Sequence, residues 1–195
     1  MTVVVRKLTG AEIAGSIDAI ADLRIRVFAD FPYLYDGDRD YETSYLAEYV
    51  AAPDAVLVGA YDGEWMVGAA TAASMIHQKA EFRAPFEARG IDTARLFYFG
   101  ESVLLSGYRG KGIGHAFFDH REEHARSHGA DAACFAAVVR PESHPARPSD
   151  YTPLDAFWAK RGYALLTGLQ TELAWKEHGE VEESPKLMQY WWRRW

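Results

Sequence analysis

This sequence has no long apolar run and only one cysteine. A single cysteine among 195 residues, Cys134, excludes a disulfide within the chain. We expect Cys134 to be a buried strand residue and not a nucleophile. No stretch stays apolar for long enough to span a membrane, and the amino terminus has no long apolar region of the kind found in signal peptides. We therefore expect a cytoplasmic protein that does not act at a membrane.

Positive charge is also in short supply. The chain has 21 Lys and Arg residues against 28 Asp and Glu residues, which gives a formal net charge of −7. Because a protein that binds nucleic acid normally has a basic surface, this balance argues against nucleic acid as a partner and favours a small cationic molecule. With 49% hydrophobic residues the chain can build one full core, so we predict a single domain over residues 1–195. A homodimer is compatible with this prediction.

Hydrophobic periodicity and turn residues predict a mixture of strands and helices. Strands are predicted over residues 2–8, 55–61, 64–75, 95–105, 131–139, 163–176 and 186–195, and helices over residues 11–28, 41–51, 115–128 and 154–161. Thr9 is expected to cap the first helix, and Asp62-Gly63 is expected to form a type I′ turn. Residues 77–94 form a polar insertion that we expect to be partly helical.

A glycine-rich loop follows the fourth predicted strand and leads directly into a helix. Gly110, Gly112 and Gly114 allow the backbone to approach a ligand closely, while Arg109 and Lys111 add positive charge beside the helix amino terminus. This combination is typical of a site that binds phosphate. The spacing fits neither a Walker A loop nor the dinucleotide fingerprint, because Ile113 and His115 stand where those patterns require Lys and Gly.

The loop Arg109-Gly-Lys-Gly112-Ile-Gly114 resembles the Arg-x-x-Gly-x-Gly loop that binds the pyrophosphate of coenzyme A in the GNAT superfamily of acyl-CoA-dependent N-acyltransferases. Residues 156–163, Ala-Phe-Trp-Ala-Lys-Arg-Gly-Tyr, resemble the second signature of that superfamily. The predicted order of elements agrees with its fold over almost the whole chain. The resemblance implies an α/β (α+β) protein with a mixed, mostly antiparallel sheet of about seven strands, flanked by helices and splayed between the fourth and fifth strands.

The resemblance also implies a site and an activity, the transfer of an acetyl group from acetyl-CoA to a primary amine. Coenzyme A would be bound by the end of the fourth strand and by the loop, that is, by Ser102, Val103, Leu104, Arg109, Gly110, Lys111, Gly112, Ile113, Gly114 and His115. An alkylamine with a pKa of ~10 must lose a proton before it can attack. Glu101, at a position where this superfamily often has a carboxylate, is the candidate base. The alternative is a glutamate at the end of a strand that merely faces solvent.

The second signature departs from the family pattern at one position. Trp158 stands where many members have the tyrosine that protonates the departing thiolate. Either the thiolate leaves unaided or another hydroxyl replaces that tyrosine, and Tyr151 is our candidate. A tyrosine that only packs is the alternative for Tyr151. This departure also keeps open a second function, a catalytically silent module that binds acyl-CoA as a sensor.

The loop between the first two predicted helices alternates aromatic and acidic residues. We expect Tyr33, Tyr35, Asp36 and Asp38 to bind the acceptor, because aromatic faces and carboxylates together attract a cation. A polyamine, an aminoglycoside-like compound or a basic amino-acid derivative would suit such a loop, which would act as a lid. The alternative is that the aromatic residues enter the core while the aspartates cap and solvate the turn.

A different pattern overlaps the predicted central helix. His120, Glu123 and His124 fit the His-x-x-Glu-His arrangement of some zinc hydrolases. No third protein ligand can be assigned, and helices rich in charged residues are usually solvated, so we expect no metal. Zinc hydrolysis is therefore a remote alternative.

Overall fold

The computed structural model describes residues 2–8 and 10–195, and for residues 10–11 and 48–50 it describes the backbone alone. The predicted cap Thr9 lies outside these residues. Within the described residues, seven strands form one sheet in the order β1-β2-β3-β4-β5-β7-β6. Their bounds are Val4–Lys7 (β1), Val56–Asp62 (β2), Trp65–Ser74 (β3), Leu96–Leu104 (β4), Ala132–Val138 (β5), Ala164–Trp175 (β6) and Ser184–Arg194 (β7). Only β4 and β5 are parallel, so the predicted mixed, mostly antiparallel sheet is confirmed.

Five α-helices flank the sheet in the described part of the chain. Their bounds are Gly10–Phe28 (α1), Arg39–Val50 (α2), Ala80–Glu87 (α3), Ile113–Ser127 (α4) and Asp155–Lys160 (α5). Short 3-10 turns occupy Met75–His77 and Ser106–Tyr108. The polar insertion is partly helical, as predicted, because it contains α3. Within residues 2–8 and 10–195, no helix has both the length and the apolar character needed to cross a membrane.

The core lies on both faces of the sheet. On one face α4 packs Phe117 and Phe118 against Phe99 and Phe135. On the other face α1 and α2 pack against the sheet in a cluster that includes Ile20, Leu46, Leu57 and Val103. Val103 and Leu104 belong to different clusters because successive side chains of a strand point to opposite faces. Helix α3 covers a third cluster with Phe82 and Phe86.

The hairpin between β2 and β3 forms, but its turn differs from the prediction. Asp62 pairs with Trp65, so the two connecting residues are Gly63 and Glu64. Gly63 has φ = 63°, whereas Leu34 is the one non-glycine residue with positive φ in the described ranges. The expected type I′ turn is therefore wrong, because it needs positive φ at both connecting residues. Positive φ at the first residue alone is the pattern of a type II′ turn.

Strands β4 and β5 separate along their length. Their parallel pairing comprises Leu96 with Ala132, Phe97 with Ala133 and Tyr98 with Cys134, and it ends there. Beyond this point β4 stays paired with β3 and β5 with β7. A wedge therefore opens between the carboxyl ends of β4 and β5, which confirms the predicted splay.

A β-bulge interrupts β4 beside this wedge. Ala70 pairs with Ser102 and Ala72 with Phe99, so Gly100 and Glu101 together oppose Thr71. The extra residue changes which face the following side chains point to. Phe99 points towards α4, yet Glu101, two residues later, points to the opposite face and contacts α1. The bulge thus places Glu101 on the face that α1 and α2 cover.

Candidate active site

The glycine-rich loop has the geometry of an anion site. Helix α4 begins at Ile113, and Gly112 precedes it with φ = 81° and without a side chain that caps the helix. Gly110 also has positive φ, 75°. A Cβ atom at either glycine would meet nothing within 4 Å, so the space above the loop is open. The first N–H groups of α4 are consequently available to a ligand.

Positive charge surrounds this opening. Arg109 and Lys111 are exposed, and the Lys111 Nζ lies 4.9 Å from the centre of the Tyr108 ring. Because a helix amino terminus carries partial positive charge, the loop suits a diphosphate. The predicted residues 109–115 all lie in this loop or in the first turn of α4, and the predicted residues 102–104 lie at the end of β4, on the wedge. The residues present therefore fit the pyrophosphate and the extended arm of coenzyme A.

The residues of the second signature, 156–163, pack beside the glycine-rich loop and the first turns of α4. The ring of Phe157 lies 4.9 Å from that of His115 and 5.7 Å from that of Phe118. The ring of Trp158 packs 5.0 Å from that of Phe135 on β5, on the sheet side of α5. Arg161 binds Asp119 with an N–O distance of 2.7 Å and so ties α5 to α4. These residues hold the two helices together at the loop.

A buried arginine on the α4 side of the sheet stabilises the bulge in β4. Arg121 of α4 is 1% exposed, and its Nη1 donates to the carbonyl oxygens of Thr71 (3.2 Å) and Glu101 (3.3 Å). Its Nη2 donates to the Ser102 Oγ over 2.8 Å. Arg121 therefore satisfies backbone oxygens that the bulge removes from the sheet pairing, and it fixes the direction in which Glu101 points.

Glu101 belongs to a buried cluster of three charges. Arg24 of α1 donates from Nη1 to Glu101 Oε2 over 2.6 Å and from Nε to Glu42 Oε2 of α2. The Arg24 guanidinium also lies 4.5 Å from the centre of the Tyr45 ring. Burial alone lowers the pKa of Arg24, but the neighbouring Glu101, Tyr45 and Glu42 raise it above its usual range. Arg24 therefore stays cationic between two carboxylates, and the cluster has a net charge of −1.

One oxygen of this cluster has no hydrogen-bond partner among the described residues. Glu101 is 6% exposed, so the alternative that it faces solvent is wrong. Within the described part of the chain its Oε1 is buried and makes no hydrogen bond, whereas Glu42 Oε2 accepts a hydrogen bond from Arg24. An unpaired buried carboxylate oxygen is costly. Glu101 Oε1 is therefore the atom of the cluster that can accept a proton or a hydrogen bond from a ligand.

A cavity of about 180 Å³ lies beside the cluster. Arg24, Glu42 and Glu101 form part of its wall, together with Leu173 of β6 and Ala136 of β5. Eight aromatic side chains among the described residues make up most of the remaining wall, namely Phe28, Tyr33, Tyr35, Tyr41, Tyr45, Phe82, Tyr98 and Trp175, and the other lining residues are Lys79, Glu81, Gly100, Ala174 and Met188. Burial raises the pKa of Tyr33 to about 12, so its phenol is neutral at physiological pH. The cavity thus combines one free carboxylate oxygen with aromatic faces.

The structure brings Tyr33 and Tyr35 to this cavity, as expected, but not Asp36 and Asp38. Asp36 pairs with Lys176 at 2.8 Å, and Asp38 Oδ1 accepts a hydrogen bond of 2.7 Å from the Tyr41 amide at the start of α2. Both carboxylates are thus engaged in the loop itself, by an ion pair and by a helix cap. The alternative for the two aspartates therefore fits the structure better than a role as acceptor ligands.

The loop over residues 31–36 is attached to the β6–β7 connection. Backbone bonds join Asp36 to Lys176 (2.9 Å) and His178 to Leu34 (2.9 Å). The indole N–H of Trp175 and the Nη2 of Arg140 both donate to the carbonyl oxygen of Tyr33. With these bonds in place, the loop forms a fixed wall of the cavity, in contrast to the lid that the sequence suggested.

Tyr151 lies in the loop between β5 and α5, outside the wall of the cavity. Its ring meets that of Phe31 edge-on at 4.7 Å, and the Arg147 guanidinium lies 4.9 Å from its centre. Burial raises the pKa of Tyr151, so the phenol keeps its proton. The packing alternative and the role as an acid both agree with this position.

The histidine pattern on α4 is divided among other contacts. Glu123 pairs with Lys7 at 2.7 Å, and the Nε2 of His124 lies 2.9 Å from the carbonyl oxygen of Asp54. In the described residues, no three His, Cys, Asp or Glu side chains come together as a metal site. The structure gives no support to a zinc site that uses His120, Glu123 and His124. Cys134 is buried, and burial raises its thiol pKa, as expected of a strand residue.

Arg24 and Glu42 are missing from the residues that the sequence predicted, although both leave a signal. Arg24 comes four residues after Ile20, on the apolar side of α1, and Glu42 comes four residues before Leu46 on α2. A charge on the apolar side of a helix has to find a partner inside the protein. Two such charges of opposite sign on consecutive helices could have indicated a buried pair.

The chain matches the model of the acetyltransferase (GNAT) family over residues 20–163. No curated protein sequence matches it significantly. Three solved structures with the same fold are the yncA protein of Salmonella typhimurium with its cofactor acetyl-CoA, an aminoglycoside 6′-N-acetyltransferase complexed with coenzyme A, and the ribosomal-protein-alanine N-acetyltransferase of Brucella melitensis. Their TM-scores are 0.64, 0.62 and 0.63, and their identities are 10%, 14% and 13%. The matches cover 100%, 98% and 98% of this chain and 94%, 96% and 99% of theirs.

Proposed function

The chain belongs to the GNAT acetyltransferase family, whose cofactor is acetyl-CoA, and from this premise we propose that it acetylates the primary amine of a cationic small molecule. Bound acetyl-CoA would supply the thioester whose C–S bond breaks as the N–C bond of the amide forms. The ammonium group loses two protons as it becomes an amide. The residues of this chain have to hold acetyl-CoA, accept the first of these protons and protonate the thiolate, and the second proton balances the one that the thiolate receives.

Two parts of the chain would hold the cofactor. The N–H groups at the start of α4, with Arg109 and Lys111, bind the pyrophosphate, and the backbone of Ser102 to Leu104 faces the arm in the wedge. The side chain of Val103 is buried in the core, so this residue can contribute only backbone groups. Support for this arrangement comes from the open space at Gly110 and Gly112.

Glu101 would take the proton, and the unpaired Oε1 is the observation that carries this proposal. An ammonium group that donates to Oε1 gains a charge-assisted hydrogen bond, and loss of that proton to the carboxylate leaves the neutral amine that can attack. Glu42 then remains as the counter-ion of Arg24. The two glutamates therefore have different roles, since Glu101 exchanges the proton and Glu42 balances the arginine.

Tyr151 is the proposed donor of a proton to the thiolate. Its phenol stays protonated at neutral pH because burial raises its pKa. Trp158 cannot serve, since an indole N–H is not a useful acid and this side chain packs against Phe135 and Trp191. A thiolate with a pKa of ~8.5 is also a fair leaving group without help, so Tyr151 would contribute a modest factor.

Release of free coenzyme A in the presence of acetyl-CoA and a panel of amines tests the function. We expect turnover with cationic primary amines and none with the corresponding alcohols, because an alcohol is a weaker nucleophile than a neutral amine and places no positive charge beside Glu101. The value of kcat/KM should fall with added salt, since a chain of net charge −7 attracts cations at low ionic strength. Turnover limited to neutral or acidic acceptors would contradict the proposal.

Trp158 favours one other candidate, a sensor that binds acyl-CoA without turning it over. Such a module would bind acetyl-CoA with a normal isotherm in titration calorimetry, yet it would release no coenzyme A across the whole amine panel. Turnover of any amine above the uncatalysed rate excludes it.

A further inference from the structure

The cavity beside Glu101 is too small to enclose an acceptor that carries several positive charges, such as a polyamine or an aminoglycoside. Its volume is about 180 Å³. An engineered protein cavity of ~150 Å³ accommodates benzene, so the part of an acceptor that lies inside this half-open cavity is about one ring with a short side chain. The loop over residues 31–36 cannot easily move away to enlarge it, because Tyr33 is bound through its carbonyl oxygen by Trp175 and Arg140.

The charged side chains in the wall of the cavity can neutralise one positive charge on a ligand. Arg24 contributes +1, and Glu42 and Glu101 contribute −1 each, so the buried cluster has a net charge of −1. A single ammonium group at Glu101 Oε1 makes it neutral. The charged residues Glu81 and Lys79 at the exposed side of the cavity have opposite signs, so together they add no net charge. A second positive charge would therefore gain contacts with aromatic faces but no further unbalanced carboxylate inside the cavity.

The remaining wall is aromatic and apolar. Tyr33 packs against Phe28 at 4.5 Å and against Trp175 at 5.7 Å, and Phe82 packs against Tyr98 at 4.9 Å. Such walls favour a flat, polarisable body, because aromatic pairs gain more than their buried area alone supplies. The wall has tyrosine hydroxyls but few other polar groups, so an acceptor rich in hydroxyl groups would lose more hydrogen bonds to water than the wall replaces.

We infer that the acceptor is a compact primary amine with one positive charge on a body the size of one aromatic ring, that is, an arylalkylamine. This inference rests on the proposed function, and it narrows the acceptor from cations in general to this class. The ammonium group lies on Glu101 Oε1, and the ring lies between the aromatic walls. A polyamine or an aminoglycoside is a poor substrate.

Binding and turnover of matched probes test the inference separately. Titration calorimetry of the protein with saturating coenzyme A should give phenethylamine an affinity at least about tenfold higher than that of hexylamine, which lacks the ring, or phenethyl alcohol, which lacks the charge. The kcat/KM with acetyl-CoA should follow the same order, with spermidine at least about tenfold below phenethylamine. The inference is overturned if hexylamine binds as tightly as phenethylamine, or if spermidine or hexylamine reaches a kcat/KM equal to or above that of phenethylamine.

Variants of β6 test whether the cavity sets this preference. Leu173→Ala removes side-chain atoms from the wall and enlarges the cavity. The ratio of kcat/KM for naphthylmethylamine to kcat/KM for benzylamine should therefore rise by about tenfold. Leu165→Ala, on the same strand but 41% exposed and outside the wall, is the matched control and should leave that ratio unchanged. An unchanged ratio in both variants would place the acceptor elsewhere and would overturn the inference. If Leu173→Ala does not fold, kcat/KM of the parent protein is compared for the same two amines. The parent should prefer benzylamine, and a preference for naphthylmethylamine would overturn the inference.

The two failures are distinguishable. Turnover of a non-aromatic or oligocationic amine in preference to arylalkylamines refutes the acceptor class but leaves acyl transfer in place. Binding of phenethylamine without turnover of any amine refutes the proposed reaction but supports the ligand class.

Discussion

The loop that would bind coenzyme A and the cavity that would bind the acceptor differ in how their residues are distributed along the chain. The loop consists of consecutive residues, and its geometry depends on two glycines with positive φ at the start of a helix. The cavity is assembled from segments far apart in the chain, among them α1, α2, α3, β4, β5 and β6, and its geometry depends on which side chains meet in the core. A backbone site can be read from local sequence, whereas a side-chain site needs the packing.

The largest effect is expected at the loop. Gly112→Asp puts a side chain and a negative charge where the backbone must approach an anion, so titration calorimetry should show that acetyl-CoA binding is lost. The matched control is Gly129→Asp at the other end of α4. Gly129 also has positive φ (77°) and open space, so the substitution has a similar backbone strain but should leave the affinity for acetyl-CoA intact. Equal loss of binding in both variants would mean that strain, and not the anion site, is responsible.

The next effect is expected at the buried cluster. Arg24→Met leaves Glu42 and Glu101 without their counter-ion, and it should lower the free energy of unfolding by about 3–5 kcal/mol in a urea titration. Arg39→Met is the control, because Arg39 pairs with Asp18 and Asp22 at the surface, where such pairs contribute about 0–1 kcal/mol. Similar losses in the two variants would show that the cluster is not a tightly coupled buried unit.

A smaller effect is expected for the proposed acid. Tyr151→Phe should lower kcat by about tenfold with little change in KM, since a neighbouring hydroxyl helps a leaving group that can also depart alone. Because burial raises the pKa of Tyr151, the parent should lose no activity from ionisation of this phenol below pH ~10. Tyr61→Phe on β2 serves as the control. An unchanged kcat in Tyr151→Phe would leave Tyr151 with a packing role only.

The smallest effect is expected in the acidic loop. Asp36→Asn and Asp38→Asn should change the acceptor KM by less than about twofold, because neither carboxylate reaches the cavity and Asn still caps α2. The hydrogen bond from Lys176 lowers the pKa of Asp36, so its contribution to stability is present above the ordinary carboxyl pKa and disappears as the pH falls through the lowered pKa. Asp36→Asn should therefore be slightly less stable than the parent at pH ~7, and the difference should disappear as the pH falls through the lowered pKa of Asp36. A large rise in KM would restore both aspartates as acceptor ligands.

The sequence predicted the order of the elements and the loop because each depends on local periodicity and on glycine. It did not predict that Glu101 changes face, since this depends on the bulge at Gly100. A glycine inside a strand is the local signal of a bulge, but only the pairing with β3 shows that the side chain is redirected.

The acidic loop was read less accurately than the glycine loop for the same reason. Alternating aromatic and acidic residues predicted a cationic site with two aspartates as ligands. Only Tyr33 and Tyr35 reach the cavity, because Lys176 and the first turn of α2 engage Asp36 and Asp38. The carboxylates beside the cavity come instead from α2 and β4, and their common partner Arg24 comes from α1. No local pattern shows that these three elements meet.

The central claim is that Glu101, and not Glu42, exchanges the proton of the amine. The most direct test is the pH dependence of kcat/KM for Glu101→Gln and Glu42→Gln beside the parent. Glu101→Gln should bind acetyl-CoA normally, lose about 10²–10⁴-fold in kcat/KM at neutral pH and recover part of the loss as the pH approaches the amine pKa of ~10, where free amine is abundant. Glu42→Gln should lose less and show no such recovery. Equal activity of Glu101→Gln and the parent at every pH, or a pH-dependent recovery in Glu42→Gln alone, would contradict the claim.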